Sequence, residues 1–579
     1  MKTLFDPVRT RLAEILVPAL EGTMDVRQVF DLLVEPPNSE MGDLAFGVFQ
    51  LAKVLKKGPP VIAKEVVAKL AADPLVAKVE AAGPYVNFKL NAAAVGPLIL
   101  DGMRDGSYFK TTLLEKTPKT MIEFCQPNTH KELHVGHMRN ACLGDSLVRL
   151  MRYAGYSVVS STFPGDVGTH VAKCLWYLKF HNTEPEPATQ KGEWLGRMYS
   201  KGNLKLEDEL GTPNEAKNRE QLTEILKQLE AKSGEFYDLW LKTRQWSIEL
   251  MEQVYDWAGV EFDQWYWESE MDSPSVKYVK ELYAEGKVVL SEGAIGMDLN
   301  EDKLGFCLLL KSDGTGLYAT KDIELARRKF QDYHIEKNLY VVDMRQALHF
   351  QQVFKTLEKL GFEQAKDCYH LQYNYVELPD GAMSSRKGNI VPLMKLVNGM
   401  EDMIKTKYLA RFAGEWTADE TNTIASEVAQ GAIKYGMVKM DPNKKIVFDM
   451  DEWLQLDGDS GPFIQYSAAR IQSILRKVGQ AEGRVDWSLL THPAEHRVLQ
   501  QLLHFHHIVI LAAENYKPSL LATYLFELAK KYNAFYHDCP IGTAETPALK
   551  NTRLALCESV LAVLKQGLQL IGIPTPNKM

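Results

Sequence analysis

The sequence predicts an α/β fold: a parallel sheet covered by helices, with a small α+β unit before it and an all-helical tail after it. Three observations carry this expectation. From 121 to about 395, strand-like runs alternate with helical ones. Before residue 90, short alternating strands accompany amphipathic helices. Beyond about 400 the chain is almost wholly helical. With 579 residues the chain is too long for a single core, and the expected units are 1–112, 113–450 and 451–579.

The elements follow in order. "MKTLFDPVRTRLAEILVPALEG" carries charges throughout its apolar pattern and reads as an amphipathic helix, not a secretion signal. In "PPVIAKEVVAKLAAD", Ile62, Val66, Val67 and Leu70 form a helical stripe. "VAKVEAAGPYVNFKLN" alternates like two strands about a Gly-Pro turn. Residues 91–112 read as a connector. "MIEFCQ", "SVVSSTF", "LYVVDM" and "YHLQYNYVEL" are the strands of the predicted sheet, and "RNACLGDSLVRLMRYAG" is a helix closed by Gly155. Between about 176 and 300 the alternation is interrupted by a charged helical stretch that reads as an insertion. Stem helices are expected over about 396–450.

Composition narrows the class. Apolar residues at 45% and charged residues at 25% are those of an ordinary globular protein. No run approaches ~18 uncharged apolar residues, so no membrane partner is expected. The seven cysteines are scattered and never form CxxC, which points to a reducing compartment, without a disulfide framework or cysteine-bound zinc. Net charge is −8, but residues 461–579 hold twelve Lys and Arg against eight Asp and Glu, leaving about −12 on the remainder. A mildly basic helical tail on an acidic body suits a polyanion.

The most informative stretch is "TMIEFCQPNTHKELHVGHMRNACLGDSLVRL", residues 120–150. A strand leads into a turn and a helix beginning near Gly136 or His137, with Leu143, Leu147, Leu150 and Met151 at helical spacing. A helix start offers free N–H groups and a positive dipole end to a phosphate. Gly136 lets a ring or ribose approach the backbone, and His134 and His137 flank it as donors. HxxH also suggests metal, but no carboxylate or third histidine follows at useful spacing.

"EFCQPNTHKELHVGH" resembles the HIGH signature of class I aminoacyl-tRNA synthetases, in the form that arginyl-tRNA synthetases carry. "DGAMSSRKGNIV", 380–391, resembles their degenerate KMSKS loop. It keeps Met383 and Ser384 and places Ala382 and Ser385 where the signature lysines stand. In this family a lysine three residues after the Pro-Asn asparagine is thought to substitute for the missing one, and Lys131 stands there. "DGTGLYATKDIELARR", 313–328, resembles a third block, D-G-T-x-L-Y-x-T-R-D. "GPFIQYSAARIQSILRK", 461–477, resembles the first helix of the family's anticodon-binding bundle, and the N-terminal unit its tRNA-elbow domain. The sequence departs from the pattern at Val167 and His170 in "FPGDVGTH". It departs again at Asp343, Met344, Arg345 and Ala347 in "YVVDMRQALHF", where Gln346, Leu348, His349 and Phe350 match.

The resemblance implies a Rossmann-type catalytic domain, an anticodon-binding bundle, and ligation of arginine to tRNA(Arg) with ATP through an arginyl-adenylate. Lys131, His134, His137, Ser384, Arg386 and Lys387 are the implied catalytic residues. Pro127, His134, Gly136, His137, Met383 and Ser384 would frame ATP. Tyr318 and Asp322 would hold the guanidinium with Glu123 nearby, and Asn128 and Gln346 the α-amino and α-carboxylate groups. Tyr466, Arg470, Arg476 and Lys477 would meet tRNA, with Tyr532 and Phe535 as further stacking candidates. Magnesium would arrive with ATP, with no protein-bound metal. The implied enzyme is a cytoplasmic monomer, without DNA as partner, that activates arginine only with tRNA bound. Three rival readings fit the residues less well. A cysteine-activating class I enzyme should show zinc-ligand cysteines, a small HxGH nucleotidyltransferase lacks the tail, and a non-enzymatic tRNA-binding relative sits poorly with the intact Asn128, Lys131, His134 and His137.

Overall fold

The computed structural model describes residues 1–377 and 392–579. Its centre is a five-stranded, all-parallel sheet built from β1 (Thr120–Glu123), β2 (Val158–Thr162), β3 (Gln264–Trp265), β4 (Lys337–Asp343) and β5 (Cys368–Tyr373). The strand order is β5-β4-β1-β2-β3, with Glu123 level with Tyr340 on one side and Ser161 on the other. The chain steps outward from β1 to β2 and β3, then crosses back to β4 on the opposite side of β1. The crevice outside the carboxyl ends of β1 and β4 is therefore the switch point at which open α/β sheets bind ligands.

Helix α1 (Val135–Ala154) follows β1 and is buried along most of its length. It lies directly on the end of β1, because a Cβ on Gly144 would come within 2.1 Å of the Phe124 ring. Gly155 ends it in the left-handed region at φ 109°. Further along run α2 (Lys191–Asp208), α3 (Glu235–Ala258), α4 (Glu268–Ala284), α5 (Tyr318–Tyr333), α6 (Ala347–Lys359), α7 (Ala418–Val438), α8 (Gly461–Val478), α9 (Pro518–Asp538) and α10 (Pro547–Leu570).

The stretch 176–300 is not a single insertion. Helices α2 and α3, with Asn214–Ala231 between them, stack on the mouth of the sheet, whereas β3 pairs with β2 inside the sheet and α4 follows it. A three-stranded antiparallel sheet (residues 289–291, 294–299 and 305–310) then precedes α5. Glycines on α2 face its neighbours. A Cβ on Gly192 would lie 2.7 Å from the Trp246 carbonyl, and one on Gly196 would lie 2.7 Å from the Glu132 backbone nitrogen. The insertion thus rests on the loop between β1 and α1.

The N-terminal unit is a four-stranded antiparallel sheet with helices Pro7–Ala19 and Pro59–Lys69 against it. Residues 91–112 do more than connect. Short helical turns between Ala92 and Asp105 dock on the C-terminal bundle. Trp487 donates to Asp101 at 3.2 Å, Arg104 pairs with Glu558 at 2.8 Å, and the Trp487 ring fills the space a side chain on Gly96 would take. The bundle crosses the stem through two glycines, since a Cβ on Gly461 would stand 2.0 Å from the Gly431 carbonyl. Among the described residues no helix is long and apolar enough to cross a membrane.

That crossing has a direct test. Gly461→Ala is expected to push α7 and α8 apart against unyielding backbone, costing about 1–3 kcal/mol, and to lower the first calorimetric unfolding transition. An unchanged transition would mean that the two helices separate freely.

Candidate active site

The loop from β1 to α1 is held from several sides. Cys125 and His130 adopt left-handed backbone angles, φ 55° and 61°, a strain that surrounding contacts must over-determine. The Asn140 side chain on α1 accepts the Cys125 N–H at 2.9 Å and donates to the Val341 carbonyl and the Tyr373 hydroxyl, both at 3.1 Å. Pro127 is buried, and its carbonyl accepts the Gly165 N–H at 3.2 Å, while Thr129 N–H returns a bond of 2.9 Å to the Gly165 carbonyl. His130 is wholly buried between the hydroxyls of Thr129 and Thr243, and its N–H donates to the Ser247 hydroxyl at 2.9 Å. Little in the local sequence marked this anchoring histidine, because two of its three partners, Thr243 and Ser247, lie on α3.

His134 is the N-cap of α1, and the helix begins at Val135, one or two residues before the expected start near Gly136 or His137. Its Nδ1 accepts the Gly136 N–H at 3.1 Å, and the His137 Nδ1 accepts the His134 N–H, also at 3.1 Å. The two rings stack at 3.9 Å. An accepting Nδ1 carries no proton, so both neutral rings keep the proton on Nε2. Burial, assisted by the charges of Arg345 and Lys131, pushes His134 down to about 4. Burial, His134 and Lys131 hold His137 well below its ordinary 6.5. The pair is therefore two neutral donors at neutral pH. A Cβ on Gly136 would meet the His134 ring at 3.0 Å, so this glycine serves the imidazole before any ligand. Lys131 stands at the same mouth, its ammonium 5.1 Å from the centre of the Tyr199 ring on α2.

The second corner collects carboxylates. Glu123 is buried at the end of β1 and is paired with Lys329, which lies 4.4 Å over the Tyr340 ring. The sequence expectation left Glu123 open near a guanidinium, but the structure supplies it with a lysine from α5. Asn128 lies against Gly165, where a Cβ would stand 2.3 Å from its Oδ1 and 3.0 Å from an oxygen of Glu268. Glu268, buried on α4, takes Lys321 at 2.7 Å, and Lys321 also reaches Asp272 at 3.1 Å. Asp322 on α5 receives the His349 Nε2 from α6 at 2.5 Å. Tyr318 opens α5 and is 65% exposed, and Glu268, Lys321 and Asp322 all act on its hydroxyl electrostatically. Gln346 is exposed in the turn before α6.

The departures from the family pattern have structural consequences. Asp343 and Arg345 form a self-contained fork, Nε–Oδ1 2.9 Å and Nη2–Oδ2 2.7 Å, beside His134. His170 is buried and donates to the Gly165 carbonyl at 3.3 Å, and Val167 packs in the apolar cluster under the insertion. Asp166, next to it, is buried against Arg244 at 2.7 Å. Met383, Ser384, Arg386 and Lys387 lie outside the described residues.

On the bundle, the Arg470 guanidinium sits 4.8 Å from the Tyr466 ring centre and 5.5 Å from that of Tyr536, and donates to Asn533 at 2.8 Å. Arg476 and Lys477 are exposed, Arg476 donating to the Asn577 carbonyl at 3.1 Å. Tyr532 and Phe535, expected as stacking candidates, are fully buried. Helical period turns them into the bundle and leaves Tyr536 on the surface, a choice that aromatic composition alone could not make.

Comparison with known proteins agrees with this layout. The model for the catalytic domain of class I tRNA synthetases (R) matches residues 103–450, the arginyl tRNA synthetase N-terminal domain residues 8–90, and the DALR anticodon-binding domain residues 464–579. An arginine–tRNA ligase of Bdellovibrio bacteriovorus is 63% identical, covering 95% of this chain and 94% of its own. One of Treponema denticola is 35% identical, covering 98% and 99%. The solved arginyl-tRNA synthetase of Thermus thermophilus superposes with a TM-score of 0.80 at 28% identity, covering 99% and 100%.

The two capping histidines should be visible by NMR. Their ring signals are expected not to titrate between pH 8 and about pH 5, with His134 protonating only near 4. The unfolded chain takes up that proton at the ordinary 6.5, so the contribution to stability is full above 6.5 and falls as pH drops towards 4. A His134 signal midpoint near 6.5 would show that the cap is not made.

Proposed function

The chain belongs to the class I arginyl-tRNA synthetase family and is an arginine–tRNA ligase that uses ATP, and from that premise we propose how its residues divide the work. The carboxylate of arginine attacks the α-phosphate of ATP and expels pyrophosphate. The 2′-hydroxyl of the terminal adenosine of tRNA(Arg) then attacks the arginyl carbonyl, the anhydride bond to phosphate breaks, and AMP leaves. No side chain need form a covalent intermediate, and catalysis rests on positioning and on stabilising phosphate charge.

The observation that carries the assignment is the pair of neutral, tautomer-fixed imidazoles at the start of α1. Their Nε2–H groups donate to phosphate oxygens without reorganising when charge develops. Lys131 adds positive charge in place of the missing signature lysine, together with Arg386 and Lys387, and Pro127, Gly136, Met383 and Ser384 frame the nucleotide. Asp322 and Tyr318 take the guanidinium, while Asn128 and Gln346 take the α-amino and α-carboxylate groups. Glu123 contributes from behind, through its pair with Lys329. Among the described residues no group of three or more His, Cys, Asp or Glu could hold a metal ion. In this reading magnesium travels on the phosphates of ATP.

Tyr466, Arg470, Arg476 and Lys477 offer tRNA a stacking and charged face, to which exposed Tyr536 is added. Activation waits for tRNA, whose binding shifts the population towards a competent site. The setting is the cytoplasm, supported by seven unpaired buried cysteines, with a monomeric chain and no DNA or membrane partner.

Two measurements test this. Lys131→Ala should lower ATP–pyrophosphate exchange by roughly 10²–10³-fold, as loss of one charge-stabilising group does, with arginine KM nearly unchanged. A rise in arginine KM matching the rate loss would move Lys131 to the amino-acid site. The full-length enzyme should show exchange only when tRNA(Arg) is present, and equal exchange without it would rule out the coupling.

A further inference from the structure

Three carboxylates stand around the candidate guanidinium pocket, and each already has a partner. Glu123 is held by Lys329 and Glu268 by Lys321. Lysine ammonium groups keep their charge at neutral pH, so these two carboxylates are permanently compensated. Asp322 differs. Its partner is the His349 imidazole, Nε2 to Oδ2 at 2.5 Å, with side-chain exposures of 24% for His349 and 16% for Asp322. Imidazole is the one side chain whose charge turns over near neutral pH. Of the three, Asp322 alone can be freed of a counter-charge without moving a lysine.

We propose that His349 is a positioning residue for Asp322 whose protonation governs arginine binding. In both states His349 holds Oδ2 through Nε2–H and leaves Oδ1 open; when neutral, it leaves the Asp322 charge to the arginine guanidinium, and when protonated, the imidazolium cancels that charge and repels the guanidinium. The proton that leaves is the one on His349 Nδ1, and it passes to the buffer. Below the titration midpoint of His349, arginine binding therefore releases one proton. This inference rests on the reading of Asp322 as a guanidinium ligand.

The surroundings support the exchange. Burial disfavours a charged His349 ring, but the hydrogen bond and charge of Asp322 outweigh it and hold His349 above its ordinary value. A guanidinium on Asp322 cancels the charge that produced this balance. The other titratable groups facing the pair keep one state near neutrality. His370 on β5 is pushed down by burial, Cys307 on the neighbouring antiparallel sheet and Tyr340 are pushed up by burial, and Tyr318, although largely exposed as a residue, is raised by partial desolvation of its hydroxyl and by Glu268. The Lys321–Glu268 pair stays closed on the α4 side.

The test uses the full-length enzyme with tRNA(Arg). Arginine KM in aminoacylation should rise about tenfold per pH unit below the His349 midpoint and be flat above it, as linkage to one proton requires. His349→Gln keeps an amide donor for Asp322 and removes the titration. It should flatten the profile and stay within about threefold of the wild-type alkaline value. Calorimetry of arginine binding to the wild-type enzyme, in two buffers of different ionisation heat, should count close to one proton released at the acid end, independently of any variant. A His349→Gln enzyme with the wild-type pH profile, or a proton count of zero, overturns the proposal. Asp322→Asn separates the premise from the inference. If it raises arginine KM at every pH, the guanidinium reading stands whatever His349 does, and if it leaves KM unchanged, both fall.

Discussion

The first turn of α1 has backbone N–H groups with no partner inside the helix, and the way the chain satisfies them shapes the site. A serine or aspartate would be the ordinary cap. Here two imidazoles share the task, His134 accepting from Gly136 and His137 accepting from His134. The capping bonds consume both Nδ1 atoms, which sets the tautomers and leaves Nε2–H as the donor end. The same bonds favour a glycine at 136, since a Cβ there would stand 3.0 Å from the His134 ring and press on it. Capping by histidine is not by itself a mark of catalysis. His492 caps Pro493–Leu503 in the bundle through the same Nδ1 contact, at 3.2 Å to the Ala494 N–H. The difference at α1 is position: its first turn opens at the switch point of a parallel sheet.

Keeping that turn in place takes long-range contacts. Arg139, buried on α1, donates to the carbonyls of Pro442 at 3.0 Å and Lys444 at 2.8 Å, in the stem after α7. Burial lowers its value to about 10, which leaves it a cation at neutral pH. Lys434 on α7 donates to the Gly572 carbonyl near the end of the chain, and both lie beside Asp145 and Arg149 of α1. Tyr153 of α1 meets the His506 ring of the bundle at 3.0 Å, and Tyr108 of the connector stacks on that ring at 3.9 Å. The helix that presents the histidines is thus bonded to the stem, the bundle and the C-terminal segment. The first turn of α1 and the bundle are therefore joined by continuous packed contacts.

The sheet itself illustrates how buried charge is managed. Glu123 sits at the carboxyl end of a strand buried on both faces, where an unpaired carboxylate would be costly. Lys329 and Tyr340 compensate it. Glu268 and Asp166 are treated in the same way, by Lys321 and Arg244. Of these four carboxylates, Asp322 is the one whose partner is an imidazole and not a lysine or arginine.

The sequence by itself determined the features that depend on neighbours a few residues apart. Leu143, Leu147, Leu150 and Met151 at helical spacing made α1 legible, and Gly155 marked its end. The strand-like runs before it and at 157–163, 339–344 and 369–378 announced β1, β2, β4 and β5, and the ordered motifs announced the family. Tertiary structure decided whatever depends on a distant partner. β3 has two residues and no periodicity to read, and it exists only because β2 offers an edge. Glu123 looked like an open ligand because Lys329 is 206 residues away, and the tie between His349 and Asp322 spans 27. Tyr532, Phe535 and Tyr536 share one short stretch of helix, and the packing of α9 on its neighbours decided which of them faces water. Residues 91–112 read as a connector because their partners, Trp487, Glu558 and Ser559, belong to the far end of the chain. Periodicity and motifs are local properties that a sequence carries openly, while charge compensation and exposure are set by which elements come to lie side by side.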